Sequence, residues 1–410
     1  MLVPSEAPFL DPRVLDSVAG DSLQNRGDAP VLMSTAPPGV GADVVRSKSL
    51  TFFAQEEVSF EYFFHVHRDR PQLDADILRL VSLLDEEINA HRGRYVVDGR
   101  SSLERLRRID RELEARHGAQ RTPPFEQIMA LEREVPELRW GSTPRELILS
   151  GMGREGSPVA DSTWTEVLRA ISDDDELLVT WGHPLSARPQ ISDPCGDPRM
   201  SERLRAMHER GVLGLHVHTS GAHSPATLEA LGASGVDVIT VDLDAPSEAF
   251  ADDDDYSARV KGLERLIDIV DSLDPEVRPF LMPAITVDRS NATAIDECHD
   301  RWDGRVDRLV IRGIEGVHGE PVAETMGIFA PPERFPCVRL QEQLWVEASG
   351  RVPLCRRDPD ASYELGSLTE DTVAAIWQGE RLTAARRAHG QGEWERIGHC
   401  GACASWFRWD

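Results

Sequence analysis

From residue 145 to residue 312 the chain alternates short apolar runs with amphipathic stretches, and no other feature constrains its fold as much. The apolar runs are RELILS (145–150), LLVTW (177–181), VLGLHVH (212–218), VDVITVDL (236–243), RPFLMPAITV (278–287) and VDRLVIR (306–312). Apolar residues at helical spacing predict helices near 162–172, 199–210, 224–233, 256–272 and 291–302. Strands that alternate with helices pair side by side through right-handed crossovers, so the segment predicts a parallel sheet in an α/β fold. Six such units make either an open sheet or three-quarters of a barrel, and periodicity alone does not choose.

The flanking segments have a different character. Residues 1–140 begin with a Pro-, Gly- and Ser-rich stretch; LTFFAQEEVSFEYFFHV (50–66) suits one or two strands, and 74–92 and 101–116 carry helical spacing. We read this as a separate N-terminal α/β segment, followed by the 141–330 sheet region and a small Cys-rich domain over 331–410. His65 and His67 sit two apart in the first segment, which suits half-buried strand histidines better than a metal site.

Charge narrows the classes of partner. The 45 basic and 71 acidic residues leave a net charge of −26, which disfavours nucleic acid or an anionic membrane as partner. Lysine occurs only at Lys48 and Lys261, and Lys48 lacks the glycine that a phosphate-cradling loop places before its lysine. No apolar run approaches the roughly 20 residues of a membrane helix. The N-terminus has no basic stretch followed by an apolar one, so the expectation is a cytoplasmic protein. The acidic runs Asp173–Glu176 and Asp252–Asp255 fit solvated loop or cap positions.

The six cysteines are unevenly placed. Cys195 and Cys298 are solitary and suit structural roles, whereas Cys337, Cys355, Cys400 and Cys403 fall in the last 74 residues. CVRLQEQLWVEASGRVPLC (337–355) reads as a strand, a turn at Gly350 and a returning strand, which brings its two terminal thiols together. Cys400 and Cys403 form a C-x-x-C knuckle that aims two sulfurs at one ion. Four soft thiolates suit zinc or an iron–sulfur cluster. His399 is an alternative ligand that four thiols make unnecessary.

Two other constellations compete for function. Gly151, Gly153 and Gly156 in GMGREG follow the first strand of the sheet region and match the dinucleotide fingerprint, although no acidic strand end follows at the required distance. His216 and His218 share one strand face, with His223, Asp242 and Asp244 near the same end of the sheet. Such imidazoles can chelate a metal that activates water, the basis of a metal-dependent hydrolase reading.

The tail as a whole resembles the SPASM or twitch extension of radical SAM enzymes. The resemblance lies in the glycine hairpin with its two cysteines, the segment YELGSLTEDTVAAIWQGERLTAARRAH, and the C-x-x-C knuckle, over roughly 335–407. It implies one auxiliary [4Fe-4S] cluster on Cys337, Cys355, Cys400 and Cys403, since the further cysteines of a second cluster are missing. It also implies that the sheet region is a partial (βα)6 TIM-like barrel of radical SAM type. WGHPLSARP (181–189) stands where that family carries a GGEP strand end, which makes Gly182 and His183, with Gly151 and Gly153, the candidate cofactor contacts. LHVHTSG (215–221) and VITVDLDA (238–245) fall at two further family landmarks. The departure is large: the family's C-x3-C-x2-C loop is replaced by ELILSGMGREGSPVAD, and no cysteine occurs between Met1 and Pro194. The resemblance therefore implies a barrel that has lost S-adenosylmethionine cleavage, and S-adenosylmethionine binding is in doubt because His183 replaces the family's acid. A leading block, a cysteine-free barrel and this tail together also resemble the spiro-SPASM family. The implied function is electron relay, or peptide or small-substrate binding, alongside a partner protein. The alternatives are a zinc-stapled interaction protein and the hydrolase at His216 and His218.

Overall fold

The computed structural model describes residues 6–24, 31–34, 36–45, 47–48, 51, 55, 79–82, 88, 91, 93–97, 99–153, 156–174, 176–182, 193–243, 256–287, 294–313, 334–358 and 362–406. The chain divides into two compact units, Met1–Ser142 and Thr143–Asp410.

The first unit contains helix α1 (Pro12–Gln24), strands β1 (Val31–Ser34), β2 (Val44–Val45) and β3 (Arg79–Ser82), and helices α2 (Arg100–His117) and α3 (Phe125–Glu134). β1 is central, antiparallel to β2 and parallel to β3. The strand at Arg79–Ser82 corrects the helix expected over 74–92: LRLVS is β-competent once it can pair with β1, and pairing overrides local spacing. The strands expected over 50–66, with His65 and His67, lie outside the described residues apart from Thr51 and Gln55, which are helical. Leu106, Ile109 and Leu113 of α2 meet Phe125, Ile128 and Met129 of α3 in a buried core. That core encloses an ion pair: Arg105 Nη2 donates to Glu132 Oε1 at 2.9 Å, and Arg105 Nε donates to the Leu138 carbonyl at 2.7 Å. Glu132 is fully buried, and its pKa is lowered despite burial because His91 and Arg105 face it.

The second unit is built on a seven-stranded sheet. Its strands and helices run β4 (Glu146–Leu149), α4 (Asp161–Asp173), β5 (Leu178–Trp181), α5 (Met200–Glu209), β6 (Gly214–Thr219), α6 (Pro225–Gly232), β7 (Val238–Asp242), α7 (Tyr256–Asp271), β8 (Phe280–Val287), α8 (Ala294–Trp302) and β9 (Val310–Gly313). All six strands are parallel and stand in sequence order. Leu147, Ile148 and Leu149 are all buried, so both faces of β4 are covered, as a parallel sheet between helices requires.

The tail adds helix α9 (Arg339–Glu342), strands β10 (Gln343–Val346), β11 (Arg351–Pro353) and β12 (Glu364–Ser367), and helices α10 (Val373–Trp377) and α11 (Glu380–Gly390). The hairpin expected between Cys337 and Cys355 is only partly a hairpin. β10 pairs in parallel with β4 and becomes the seventh strand of the large sheet, whereas β11 pairs with β12. The turn between them is tight: Gly350 has φ +92°, and a Cβ there would stand 2.6 Å from Thr163 Oγ1. By covering the β4 edge, β10 joins the tail to the sheet through backbone hydrogen bonds. No helix among the described residues is long and apolar enough to cross a membrane.

Candidate metal centre

The four tail cysteines arrive from three segments. Cys337 precedes α9, Cys355 follows β11, Cys400 ends a short helical stretch at Gly398–Cys400, and Cys403 lies in the turn that follows. All four are half-buried free thiols. The knuckle is closed by the Cys403 N–H donating to the Cys400 carbonyl at 3.3 Å, and Ser405 N–H donates to Cys403 Sγ at 3.4 Å. Asp358 shapes the loop after Cys355 by accepting from Ser362 N, Ser362 Oγ and Tyr363 N at 2.7–2.8 Å. His399 stands 3.9 Å from Asp358 Oδ1.

Electrostatics shows that the thiols converge. Burial and then the neighbouring Cys337 thiol push Cys355 up to about 12, and Cys400 is raised by burial and by Cys355, Cys337 and Cys403. Burial raises Cys337 against the opposing pull of Arg339. Four thiols gathered in this way form a donor set that would suit a metal or cluster once deprotonated.

Among the described residues, the His, Cys, Asp or Glu ligand atoms that lie mutually within 4.8 Å are those of Asp193, Cys195 and His223. Four thiolates suit either a tetrahedral zinc or an iron–sulfur cluster. The surroundings also fit an acidic, sulfur-rich group. Buried His389, its pKa lowered to about 4 by burial and by Arg334, accepts the Cys337 N–H on Nδ1 at 3.3 Å, and its Nε2 has no hydrogen-bond partner among the described residues.

The other candidate residues are placed differently. His216 and His218 stack with ring centroids 4.3 Å apart, but His216 Nε2 is bound to Thr240 Oγ1 at 2.8 Å and His218 Nδ1 stands 3.5 Å from Asp242 Oδ2. Burial lowers the pKa of His216 well below its ordinary value, aided by His218, so it is neutral, and its Nε2 is engaged by Thr240. Asp242 pairs with Arg312 from β9, which with His218 holds its pKa down at about 2 against the effect of burial. Asp242 closes β7 while His218 and Arg312 stand one residue short of the ends of β6 and β9, so the group marks the C-terminal edge of the sheet, where α/β sheets place their sites. Asp244 and His183 lie outside the described residues.

His223 belongs to another group. Asp193 Oδ2 accepts from Thr219 Oγ1, Ser220 N, Ser220 Oγ and His223 Nε2 at 2.7–3.1 Å, and Asp193 Oδ1 accepts from Cys195 N at 2.9 Å. Five donors saturate that carboxylate, so the trio latches the loop after β6. Burial, then Asp193, raises the Cys195 thiol well above its ordinary value, which keeps it unreactive. Cys298 is buried on α8. The glycine loop after β4 is closed on itself, Gly153 N–H donating to the Ser157 carbonyl at 2.7 Å and Gly156 N–H to the Gly153 carbonyl at 2.9 Å. α4 begins only at Asp161, so those donors do not sit at a helix N-terminus as the dinucleotide fingerprint needs; Gly151 lies in the same loop, and Gly182 N–H donates to the Leu149 carbonyl.

Comparison with known proteins agrees with the tail geometry. Residues 337–404 match the SPASM family model, described as an iron-sulfur cluster-binding domain. The C-terminal part of this α/β chain is thus similar to a SPASM domain, and its β10 joins the parallel seven-stranded sheet. An uncharacterised protein of Treponema pallidum (strain Nichols) is 26% identical over 133 residues, which cover 32% of this chain and 35% of that relative, about a third of its length. Similar solved structures include Streptococcus suis SuiB bound to precursor peptide SuiA, with TM-score 0.45, 11% identity and coverage of 74% of this chain and 84% of that one. BtrN in complex with AdoMet and 2-DOIA has TM-score 0.40 and 11% identity, covering 63% and 92%. Native anSMEcpe with bound AdoMet and Cp18Cys peptide has TM-score 0.45 and 10% identity, covering 63% and 87%.

Proposed function

We propose that this chain holds one [4Fe-4S] cluster on Cys337, Cys355, Cys400 and Cys403 and uses it as a one-electron relay for a partner protein or a bound peptide. The convergence of four thiols that interact with one another, inside a segment similar to an iron-sulfur cluster-binding domain, supports this reading. When bound, the cluster supplies one-electron transfer. The chain's own residues hold its ligands: β11 and the Asp358 loop fix Cys355, the His389 contact fixes Cys337, and the Cys400–Cys403 turn presents the remaining pair.

The sheet is proposed to act as scaffold and binding surface without cleaving AdoMet. The loop after β4 has no cysteine to hold a second cluster, and its Gly153 and Gly156 N–H groups donate to carbonyls of the same loop. SuiB is described with a precursor peptide bound, and a peptide is the partner class proposed for this chain on the SPASM resemblance. The test is anaerobic incubation of cluster-loaded protein with AdoMet and dithionite. A spectrum that bleaches on reduction without release of methionine supports the proposal; AdoMet cleavage above the protein-free control overturns it.

A further inference from the structure

We infer that Arg334 is the fixed cation that raises the reduction potential of the cluster. The inference rests on the four-cysteine cluster reading above. Arg334 stands three residues ahead of the segment matched as SPASM, so the family match assigns it no role. Its Nη2 donates to the Cys400 carbonyl at 2.5 Å and its Nη1 to the Gly401 carbonyl at 3.1 Å, so two of its three nitrogens grip the knuckle backbone. Its guanidinium carbon lies 4.7 Å from the Trp394 ring centroid and 5.8 Å from that of Trp406, and Phe335 packs edge-on to Trp406 at 4.7 Å. A guanidinium gripped by two carbonyls and faced by two indoles has little freedom to swing into water.

Two further observations direct its charge at the sulfurs. The third nitrogen, Nε, is buried with no hydrogen-bond partner among the described residues. A buried N–H without an acceptor is costly to retain, and a cluster sulfide or ligand thiolate is the acceptor chemistry this pocket would supply. The Arg334 charge also interacts with Cys403, Cys400 and Cys337, three of the four ligands. Arg339 donates to the Ser405 carbonyl at 2.7 Å and interacts with Cys337 and Cys355 from within the matched segment, so the two arginines together reach all four cysteines, both acting on Cys337.

The sign follows from charge. Reduction adds one electron from an external low-potential donor and breaks no bond, so the reduced cluster is one unit more negative than the oxidised one. A fixed cation stabilises the reduced form more and raises the potential; removing it lowers the potential. Arg334 is thus a positioning and tuning residue that acts through the cluster.

The test compares full-length wild type, Arg334→Gln and Arg334→Lys, purified and loaded without oxygen. Iron and sulfide are counted per chain, and the cluster is titrated against potential by electron paramagnetic resonance with dithionite and mediators. Arg334→Gln is expected to keep wild-type iron and sulfide while its reduced-to-oxidised ratio at a fixed potential falls about tenfold, equivalent to 59 mV for one electron. Arg334→Lys keeps the charge and is expected to stay within about a factor of two of wild type. Loaded Arg334→Gln with a wild-type midpoint, Arg334→Lys shifted as far as Arg334→Gln, or folded Arg334→Gln without iron each overturn the inference. Zinc without sulfide in the wild type overturns the cluster reading itself, and the metal count separates that outcome from the others.

Discussion

The ion pair at the C-terminal edge of the sheet gives a prediction whose magnitude the structure sets. Asp242 on β7 and Arg312 on β9 are separated by β8, and both are largely withdrawn from water. The carboxyl is shifted from 3.8 to about 2, and each unit corresponds to about 1.4 kcal/mol, so ionised Asp242 contributes about 2.5 kcal/mol of stability. A carboxyl with a depressed pKa gives its full contribution above its unfolded value near 4 and loses it as pH falls towards 2. Arg312→Met removes the compensating charge and leaves a buried carboxylate facing His218 alone, a change expected to cost about 3–5 kcal/mol at pH 7. Desolvation then raises the Asp242 pKa, and protonation relieves the penalty, so the deficit narrows as pH falls from 7 to 4. Asp242→Asn added to Arg312→Met recovers part of the loss. The assay is urea unfolding followed by tryptophan fluorescence, which reports on this unit because eight of the nine tryptophans follow Thr143. A deficit below about 1 kcal/mol, or one that stays constant between pH 7 and pH 4, would refute the reasoning.

Three further expectations use other parts of the fold. Gly262→Ala in α7 puts a Cβ 1.9 Å from the Gly221 carbonyl oxygen, so a substitution that ordinarily strengthens a helix by about 1 kcal/mol instead destabilises by about 1–3 kcal/mol; unfolding midpoints check the sign. Arg105→Met strands the fully buried Glu132 and is expected to cost about 3–5 kcal/mol in the first unit, read as loss of amide-exchange protection in α2 and α3. Cluster or metal uptake requires thiolates, and Cys355 is held up at about 12 in the free site. Uptake therefore strengthens from pH 6 to pH 9 with release of protons, and pH-independent uptake would contradict that.

The sheet was legible because buried parallel strands and their covering helices leave strong local patterns. The six expected strands coincide within a few residues with β4 to β9, and 256–272 with α7 at Tyr256–Asp271. That the four tail cysteines come together was legible because C-x-x-C and a glycine turn impose local geometry. What stayed hidden depends on partners distant in sequence. Nothing local in QLWV indicates that it pairs with ELIL almost two hundred residues earlier, and both halves of the expected hairpin are equally apolar. LRLVS at the first unit's sheet carried helical spacing that only β1 overrides. Asp193 with His223, Asp242 with Arg312, and Arg334 with its two indoles meet only after folding. The signal that could have located Arg334 is its place in ERFPC, just ahead of the first tail cysteine in a segment rich in tryptophan.

The most direct test of the central claim is the iron, sulfide and zinc content of full-length protein purified without oxygen, with its absorption spectrum, beside a Cys400→Ala/Cys403→Ala variant. The account predicts about four irons and four sulfides per chain with a broad visible band, all lost in the variant. One zinc per chain with no sulfide would contradict it and make the tail a structural staple.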